Sequence, residues 1–252
     1  MEFSHRFVDA TEKERVFIVG DIHGKLSLLK HTLDQVNFDI DNDLLIGVGD
    51  LIDRGPESAE TLCFYSQHDW FLSVIGNHEW MLNKAFLVWD KIELNKEEQR
   101  YKPHWLRNGG DWAEDFSYSK LKDMADIIHS MPCVITCKVQ SGKTIGISHA
   151  QPHSLDWKEM QNWRGDLMDN PRWIWGRTRI KGEPEGEISN VDMTFHGHTR
   201  SDDMLSVSNS HFLDTASVND YNGGFILYEV NSGSTFKGLT QIDFCNIEET
   251  TQ

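Results

Sequence analysis

Apolar residues fall along this chain in short runs that stop at glycine. Arg15-Val16-Phe17-Ile18-Val19 gives way to Gly20-Asp21-Ile22-His23-Gly24, and Asp43-Leu44-Leu45-Ile46-Gly47-Val48 to Gly49-Asp50-Leu51-Ile52-Asp53-Arg54-Gly55. Trp70-Phe71-Leu72-Ser73-Val74-Ile75 gives way in turn to Gly76-Asn77-His78-Glu79. Continuous β-branched and aromatic runs of this length predict strands buried on both faces. After the first, Leu26, Leu28, Leu29, Leu33 and Val36 keep approximately helical spacing. A second helix is expected from about Pro56, a residue suited to the first helical turn, and a third between Trp80 and Leu94. Strands alternating with helices imply a largely parallel sheet whose functional edge lies at the strand C-termini.

The remaining pattern is less regular. Residues 1 to about 13 read as a polar lead-in, Lys96-Glu97-Glu98-Gln99-Arg100 as a solvated charged turn, and Leu121 to His129 as a helix. Cys133–Val139 and Thr144–Ser148 form an expected hairpin turning at Ser141-Gly142, with His149 at its end. Residues 151–190 are Trp-rich and irregular, and a loop of that length inside a compact domain is usually functional. Val191-Asp192-Met193-Thr194-Phe195 leads into His196-Gly197-His198-Thr199. Two last strands are expected at Phe212–Ala216 and Phe225–Val230, joined by Tyr221-Asn222-Gly223-Gly224, with no pattern beyond about residue 240. Trp89, Trp105 and Trp112 are read as core aromatics, with pocket lining as the competing reading.

Composition narrows the classes. A length of 252 residues suits one domain spanning 1–252 with a sizeable core. The net charge of -16 argues against nucleic acid, whose binders carry basic patches. An acidic chain that handles phosphate must supply positive charge locally, through metal ions or a few arginines. The four cysteines form no disulfide framework, and Cys133 and Cys137 lie in an expected strand as buried thiols rather than a zinc pair. No apolar run reaches membrane-spanning length and the first residues lack a signal-peptide core, so a cytoplasmic location without membrane contact is expected. Oligomeric state has no sequence signal.

The chemistry-bearing residues at the run ends are Asp21, His23, Asp50, Asn77, His78, His149 and His198. Any one histidine alone would read as a hydrogen-bonded structural residue. Recurrence at five successive strand ends instead points to a metal site, and mixed carboxylate, amide and imidazole donors suit manganese, iron or zinc.

The motifs Gly20-Asp21-Ile22-His23-Gly24, Gly49-Asp50-Leu51-Ile52-Asp53-Arg54-Gly55 and Gly76-Asn77-His78-Glu79, with their spacing, resemble the three signatures of the phosphoprotein phosphatase branch of the metallophosphoesterases. Ser148-His149-Ala150, Trp175-Gly176-Arg177, Gly197-His198-Thr199 and His104-Trp105-Leu106-Arg107-Asn108-Gly109-Gly110 resemble its bacterial and bacteriophage-lambda-type members. The resemblance runs from about residue 14 to residue 230. It implies an α/β calcineurin-like metallophosphoesterase fold: a central β-sandwich flanked by helices, with a dinuclear metal site at strand C-termini. It further implies that Asp21, His23 and Asp50 hold one divalent ion, with manganese the expected metal, and that Asp50, Asn77, His149 and His198 hold a second. His196 competes with His198 for the last place and is read as structural. Arg54 and Arg177 would grip phosphate oxygens beside Asn77, with Arg179 the alternative to Arg177. His78, oriented by Asp53, would protonate the leaving group. Ile75 stands where eukaryotic members carry an arginine, so eukaryotic regulatory subunits are not expected partners.

The implied activity is hydrolysis of phosphoserine and phosphothreonine monoesters in phosphoproteins, with phosphotyrosine a further candidate substrate. The enzymatic rival is symmetrical diadenosine-tetraphosphate hydrolysis, whose enzymes generally carry another residue at the position of Asp53. The rival from a different class is a non-catalytic phosphate-binding module, which the complete set of ligand and acid residues disfavours.

Overall fold

The computed structural model describes residues 1–216, 223–240 and 242–246. Its strands, in chain order, are β1 (His5–Ala10), β2 (Arg15–Val19), β3 (Asp43–Gly47), β4 (Phe71–Ser73), β5 (Val134–Val139), β6 (Thr144–Ser148), β7 (Met193–His196), β8 (Leu205–Val207), β9 (Ser210–Phe212), β10 (Gly224–Glu229) and β11 (Ser234–Thr240). The helices are α1 (Leu26–Gln35), α2 (Ser58–Gln67), α3 (Asn77–Phe86), α4 (Glu98–Trp105), α5 (Tyr118–Ser130), α6 (Trp157–Asn162) and α7 (Arg172–Trp175).

Two mixed sheets form, with strand orders β1-β5-β6-β7-β9-β8 and β11-β10-β2-β3-β4. Within the second, β2, β3 and β4 are parallel and β10 runs against β2. The expected hairpin is the antiparallel β5–β6 pair, and β7 then adds parallel to β6. Alternation within each buried run explains the layering. Val16, Ile18, Leu44 and Ile46 pack with Ile135, Cys137, Ile145 and Ile147 between the sheets. Their neighbours Phe17, Val19 and Leu45 turn the other way and pack with Leu28, Leu29 and Leu33 of α1 and Leu62 of α2. Each such side chain contributes about 1.5–3 kcal/mol by leaving water. The result is the expected sandwich with helices outside it.

Several expectations are corrected. The lead-in contains β1, which pairs in parallel with β5. Helix α3 starts at Asn77, not Trp80, so the Gly76-Asn77-His78-Glu79 motif is its first turn; it ends at Phe86. Helix α2 begins at Ser58, after Pro56. The irregular 151–190 stretch holds α6 and α7, and the strand expected at 212–216 is Ser210–Phe212. The joining turn at 221–224 falls partly outside the described residues.

The parallel strands fix the geometry that follows. β2, β3 and β4 end side by side, Val19 opposite Gly47 and Gly47 opposite Ser73. β6 and β7 end together in the facing sheet, with Ile147 opposite Phe195. Five strand C-termini therefore discharge their loops at one rim of the sandwich.

Candidate active site

The rim loops are held in conformations that ordinary residues avoid. Among the described residues, His23, Asp50, Asp53, Arg54 and His198 are five of eight non-glycine residues with positive φ. Such backbones persist only where their surroundings over-determine them. Here one buried carboxylate does much of that. Glu79 accepts N–H bonds from Asp50 (2.9 Å), Leu51 (2.8 Å), Ile52 (3.3 Å) and Gly76 (2.8 Å), fastening the Asp50 turn to the start of α3. The Asp50 carbonyl takes the Ile22 and His23 N–H groups at 3.0 and 2.9 Å, which fastens the third loop. Gly76 has no room for a side chain, because a Cβ there would stand 2.1 Å from Asp50 Oδ1.

Around Asp50 the donors gather in two overlapping sets, His23-Asp50-His78 and Asp50-His149-His198, each with ligand atoms within 4.8 Å of one another. Asp50 Oδ2 lies 3.4 Å from His149 Nε2, 3.7 Å from His23 Nε2 and 3.9 Å from His78 Nε2. Asn77 Oδ1 stands 2.9 Å from His149 Nε2 and 2.8 Å from His198 Nδ1. Asp21 joins neither set at that spacing; both its oxygens accept the His198 backbone N–H, at 3.0 and 3.2 Å.

This arrangement fits metal ions. His23 Nδ1 donates to Ile52 O at 2.9 Å and His149 Nδ1 to Val48 O at 2.8 Å, which in the neutral rings leaves each Nε2 as a lone pair directed inward. The lone pairs of His149 Nε2, Asn77 Oδ1 and Asp50 Oδ2 then face one another with no proton between them, an arrangement a cation relieves. Burial, then the neighbouring His78, holds His23 well below an ordinary histidine, and burial with His149 pushes His198 down to about 3. Both are therefore in the ligating, uncharged form. Burial opposes the charge on Asp50, but His149, His78 and His23 outweigh it and hold that carboxyl well below the usual range. Burial, then Asp214 and Asp50, holds Asp21 well above it. Such a concentration of buried acid invites positive charge.

Beside this cluster lies an acid pair. His78 Nδ1 donates to Asp53 Oδ2 at 2.7 Å. Burial pulls His78 down, yet Asp50 and Asp53 together leave it above an ordinary histidine. Asp53 is fully enclosed and also accepts the indole N–H of Trp105 on Oδ2 and of Trp112 on Oδ1, both at 2.8 Å. Arg54 spans the two rings, donating to His23 Nε2 at 2.9 Å and to His78 Nε2 at 3.0 Å. Arg177 Nε donates to His198 Nε2 at 3.1 Å. Arg54, Arg177 and His198 line a cavity of about 570 Å³ open to solvent.

The structure places His23, Asp50, His149 and His198 in the two donor sets with Asn77 beside them, while Asp21 lies outside both and His78 stands with His23 and Asp50 where Asp21 was expected. Of the competing pairs, Arg179 is buried and bonded to Ser210 Oγ and the carbonyls of Pro184 and Gly186, away from the cavity. His196 is buried between Ser148 O and Thr194 Oγ1, each 2.9 Å from a ring nitrogen. Sequence reading missed three contributors: Glu79 as the clamp, and Trp105 and Trp112 as donors to Asp53. Glu79 carried a signal, since a glutamate three residues after a helix N-cap commonly reaches back to its N–H. The tryptophans carried none.

Residues 14–201 match the calcineurin-like phosphoesterase family. The chain is 33% identical to serine/threonine-protein phosphatase 2 of Escherichia coli (strain K12) over 84% of its own length and 92% of that protein's. It is 44% identical to a symmetrical bis(5'-nucleosyl)-tetraphosphatase of Pseudomonas fluorescens, but over only 32% of its own length and 27% of the relative's. A solved structure of a proposed diadenosine tetraphosphatase superposes with a TM-score of 0.64 at 19% identity, covering 94% of this chain and 99% of that one, which is a likeness of fold.

Proposed function

The chain belongs to the calcineurin-like phosphoesterase family, and from that premise we propose that it is a metal-dependent phosphatase acting on phosphoserine and phosphothreonine residues of proteins. The observation that carries this reading is the Asp53–His78 pair at 2.7 Å, with His78 Nε2 lying 3.0 Å from Arg54, one of the arginines lining the cavity. A buried, carboxylate-oriented imidazole is what an alkyl phosphate needs, because its alkoxide leaves poorly without a proton. Similarity sustained over 92% of the E. coli protein phosphatase, against 27% of the dinucleotide hydrolase, points the same way.

Asp21, His23 and Asp50 would hold one divalent ion, and Asp50, Asn77, His149 and His198 another. Manganese is proposed, with iron and zinc suited to the same donors. When bound, the ions neutralise phosphoryl charge and supply a water acidic enough to attack near neutral pH. The chain's own groups do the rest. Arg54 and Arg177 offer forked donors to the non-bridging phosphate oxygens. Asp53 keeps the proton on His78 Nδ1 and the ring in place. Once Arg54 turns from His78 Nε2 to the phosphate, the doubly protonated ring that the neighbouring carboxylates favour can pass its Nε2 proton to the departing serine or threonine oxygen. The free thiols Cys63, Cys133 and Cys137 suit a reducing, cytoplasmic setting. No described helix is long and apolar enough to cross a membrane.

The test is a side-by-side assay with p-nitrophenyl phosphate, a phosphoserine peptide and diadenosine tetraphosphate, with and without manganese. Manganese-dependent release of phosphate from the peptide is expected. Turnover of the dinucleotide alone overturns the protein-phosphatase reading.

A further inference from the structure

The cavity holding Arg54 and Arg177 is lined by two further guanidiniums, those of Arg107 and Arg200. The first pair is engaged with site histidines. The second is not: among the described residues Arg107 and Arg200 make no hydrogen bond or ion pair. The chain carries 40 acidic residues against 24 basic ones. Among the described residues Asp214 is the sole acid lining the cavity, and it is hydrogen-bonded to Asp21. An adjoining cavity of about 530 Å³ shares Arg107 and adds Lys84 and Arg100, with no acid among the described residues of its lining. Positive charge is therefore concentrated at this mouth while the chain as a whole is strongly negative.

Both arginines ride on loops tied to the site. The Arg54 N–H donates to Gly109 O at 3.2 Å, and Gly109, at φ 99°, packs so closely on Arg54 that a Cβ would meet its nitrogen at 2.7 Å. Arg200 sits between Thr199, whose N–H bonds Gly197 O at 2.7 Å, and Ser201, whose N–H bonds Asp214 O at 3.0 Å. Four guanidiniums around one cavity exceed what a single phosphate can occupy. A volume of about 570 Å³ is in the range that takes a whole small ligand.

We propose that Arg107 and Arg200 form a second anion subsite, which selects substrates carrying another phosphate or carboxylate close to the phosphate being removed. This rests on the phosphatase reading and adds a substrate class to it. Guanidiniums free of internal partners lose nothing when an anion engages them, and their planar donors suit phosphate and carboxylate alike.

The test uses the full, manganese-loaded chain and three peptides: one with a single phosphoserine between neutral residues, one with a second phosphoserine nearby, and one with aspartates there. The doubly anionic peptides are expected to be preferred by about tenfold or more in kcat/KM, mainly through KM. Arg107→Met and Arg200→Met should each collapse that ratio, and Arg107→Lys should restore part of it. Binding of the matching non-hydrolysable phosphonate peptides should follow the same order. Equal handling of all three peptides, or a preference unchanged in both Met variants, overturns the proposal. Failure to hydrolyse any peptide or p-nitrophenyl phosphate defeats the phosphatase reading instead, while the binding measurement still decides the subsite. Turnover of diadenosine tetraphosphate alone, lost in Arg107→Met, keeps the subsite and overturns the phosphoprotein assignment.

Discussion

Replacing Glu79 with glutamine would change one atom and disturb two loops. In the structure Oε2 accepts from the Asp50 and Gly76 N–H groups and Oε1 from those of Leu51 and Ile52. Whichever way a glutamine amide turns, its NH2 faces two of those four donors. The residue is fully buried, so water cannot take them over. A buried donor left unpaired costs about 1–3 kcal/mol, which sets the loss at roughly 2–6 kcal/mol for the pair. Against a typical total of about 5–15 kcal/mol, Glu79→Gln should still fold but unfold much more easily. Burial, then the Asp50 charge, pushes Glu79 up to about 7, so its carboxylate form is secured by working above that pH. Urea unfolding of the metal-stripped protein at pH 8.5 is therefore the assay. A carboxyl that holds its proton more tightly folded than unfolded adds stability as pH falls, so the wild type should gain on the non-titrating glutamine variant through about pH 7 and the gap should widen. A loss under about 0.5 kcal/mol at pH 8.5, the range of ordinary surface substitutions, refutes the clamp.

Three further outcomes test the site's other parts. His78→Asn should slow hydrolysis of a phosphoserine peptide far more than that of p-nitrophenyl phosphate, whose leaving group needs no proton; equal losses on both count against the acid role. Trp105→Phe removes one N–H bond to a buried carboxylate, so a loss of about 1.5–3 kcal/mol in stability, or its equivalent in kcat on alkyl substrates, is expected. Unchanged values would mean the indole only fills space. Arg179→Met strips the Pro184 and Gly186 carbonyls and Ser210 of a buried partner, and should lower the melting temperature while leaving the ratio of kcat on peptide and aryl substrates unaltered. A changed ratio would bring Arg179 back into consideration beside Arg177.

What the sequence disclosed follows a physical line. Strands such as β2 and β3 were legible because they are buried on both faces, so every residue after the paired Arg15 and Asp43 that open them is apolar or glycine. The strands that escaped notice, β1, β8 and β11, are all sheet edges. In β1, Phe7 is 59% exposed, and its pairing partner lies more than a hundred residues away, so His5–Ala10 offers no local apolar signature. The site divides in the same way. Asp21, His23, Asp50, His78, His149 and His198 stand at the ends of buried strands, where a polar residue interrupts an apolar run and draws notice. Trp105 and Trp112 meet Asp53 from 52 and 59 residues further along the chain. An indole N–H aimed at a carboxylate looks, in sequence, like any other core tryptophan. Arg107 and Arg200 are illegible for a different reason: what distinguishes them is their convergence with Arg54 and Arg177 on one cavity, which only three-dimensional placement reveals.

The most direct measurement is the metal content of the wild type and of Asp50→Asn. Both are stripped with chelator and titrated with manganese, with bound ions counted per chain by elemental analysis. The account predicts two ions per wild-type chain and a severe weakening of both in Asp50→Asn, since its carboxylate belongs to both donor sets. Two ions retained with unchanged affinity in Asp50→Asn, or a wild type that binds none, would contradict it.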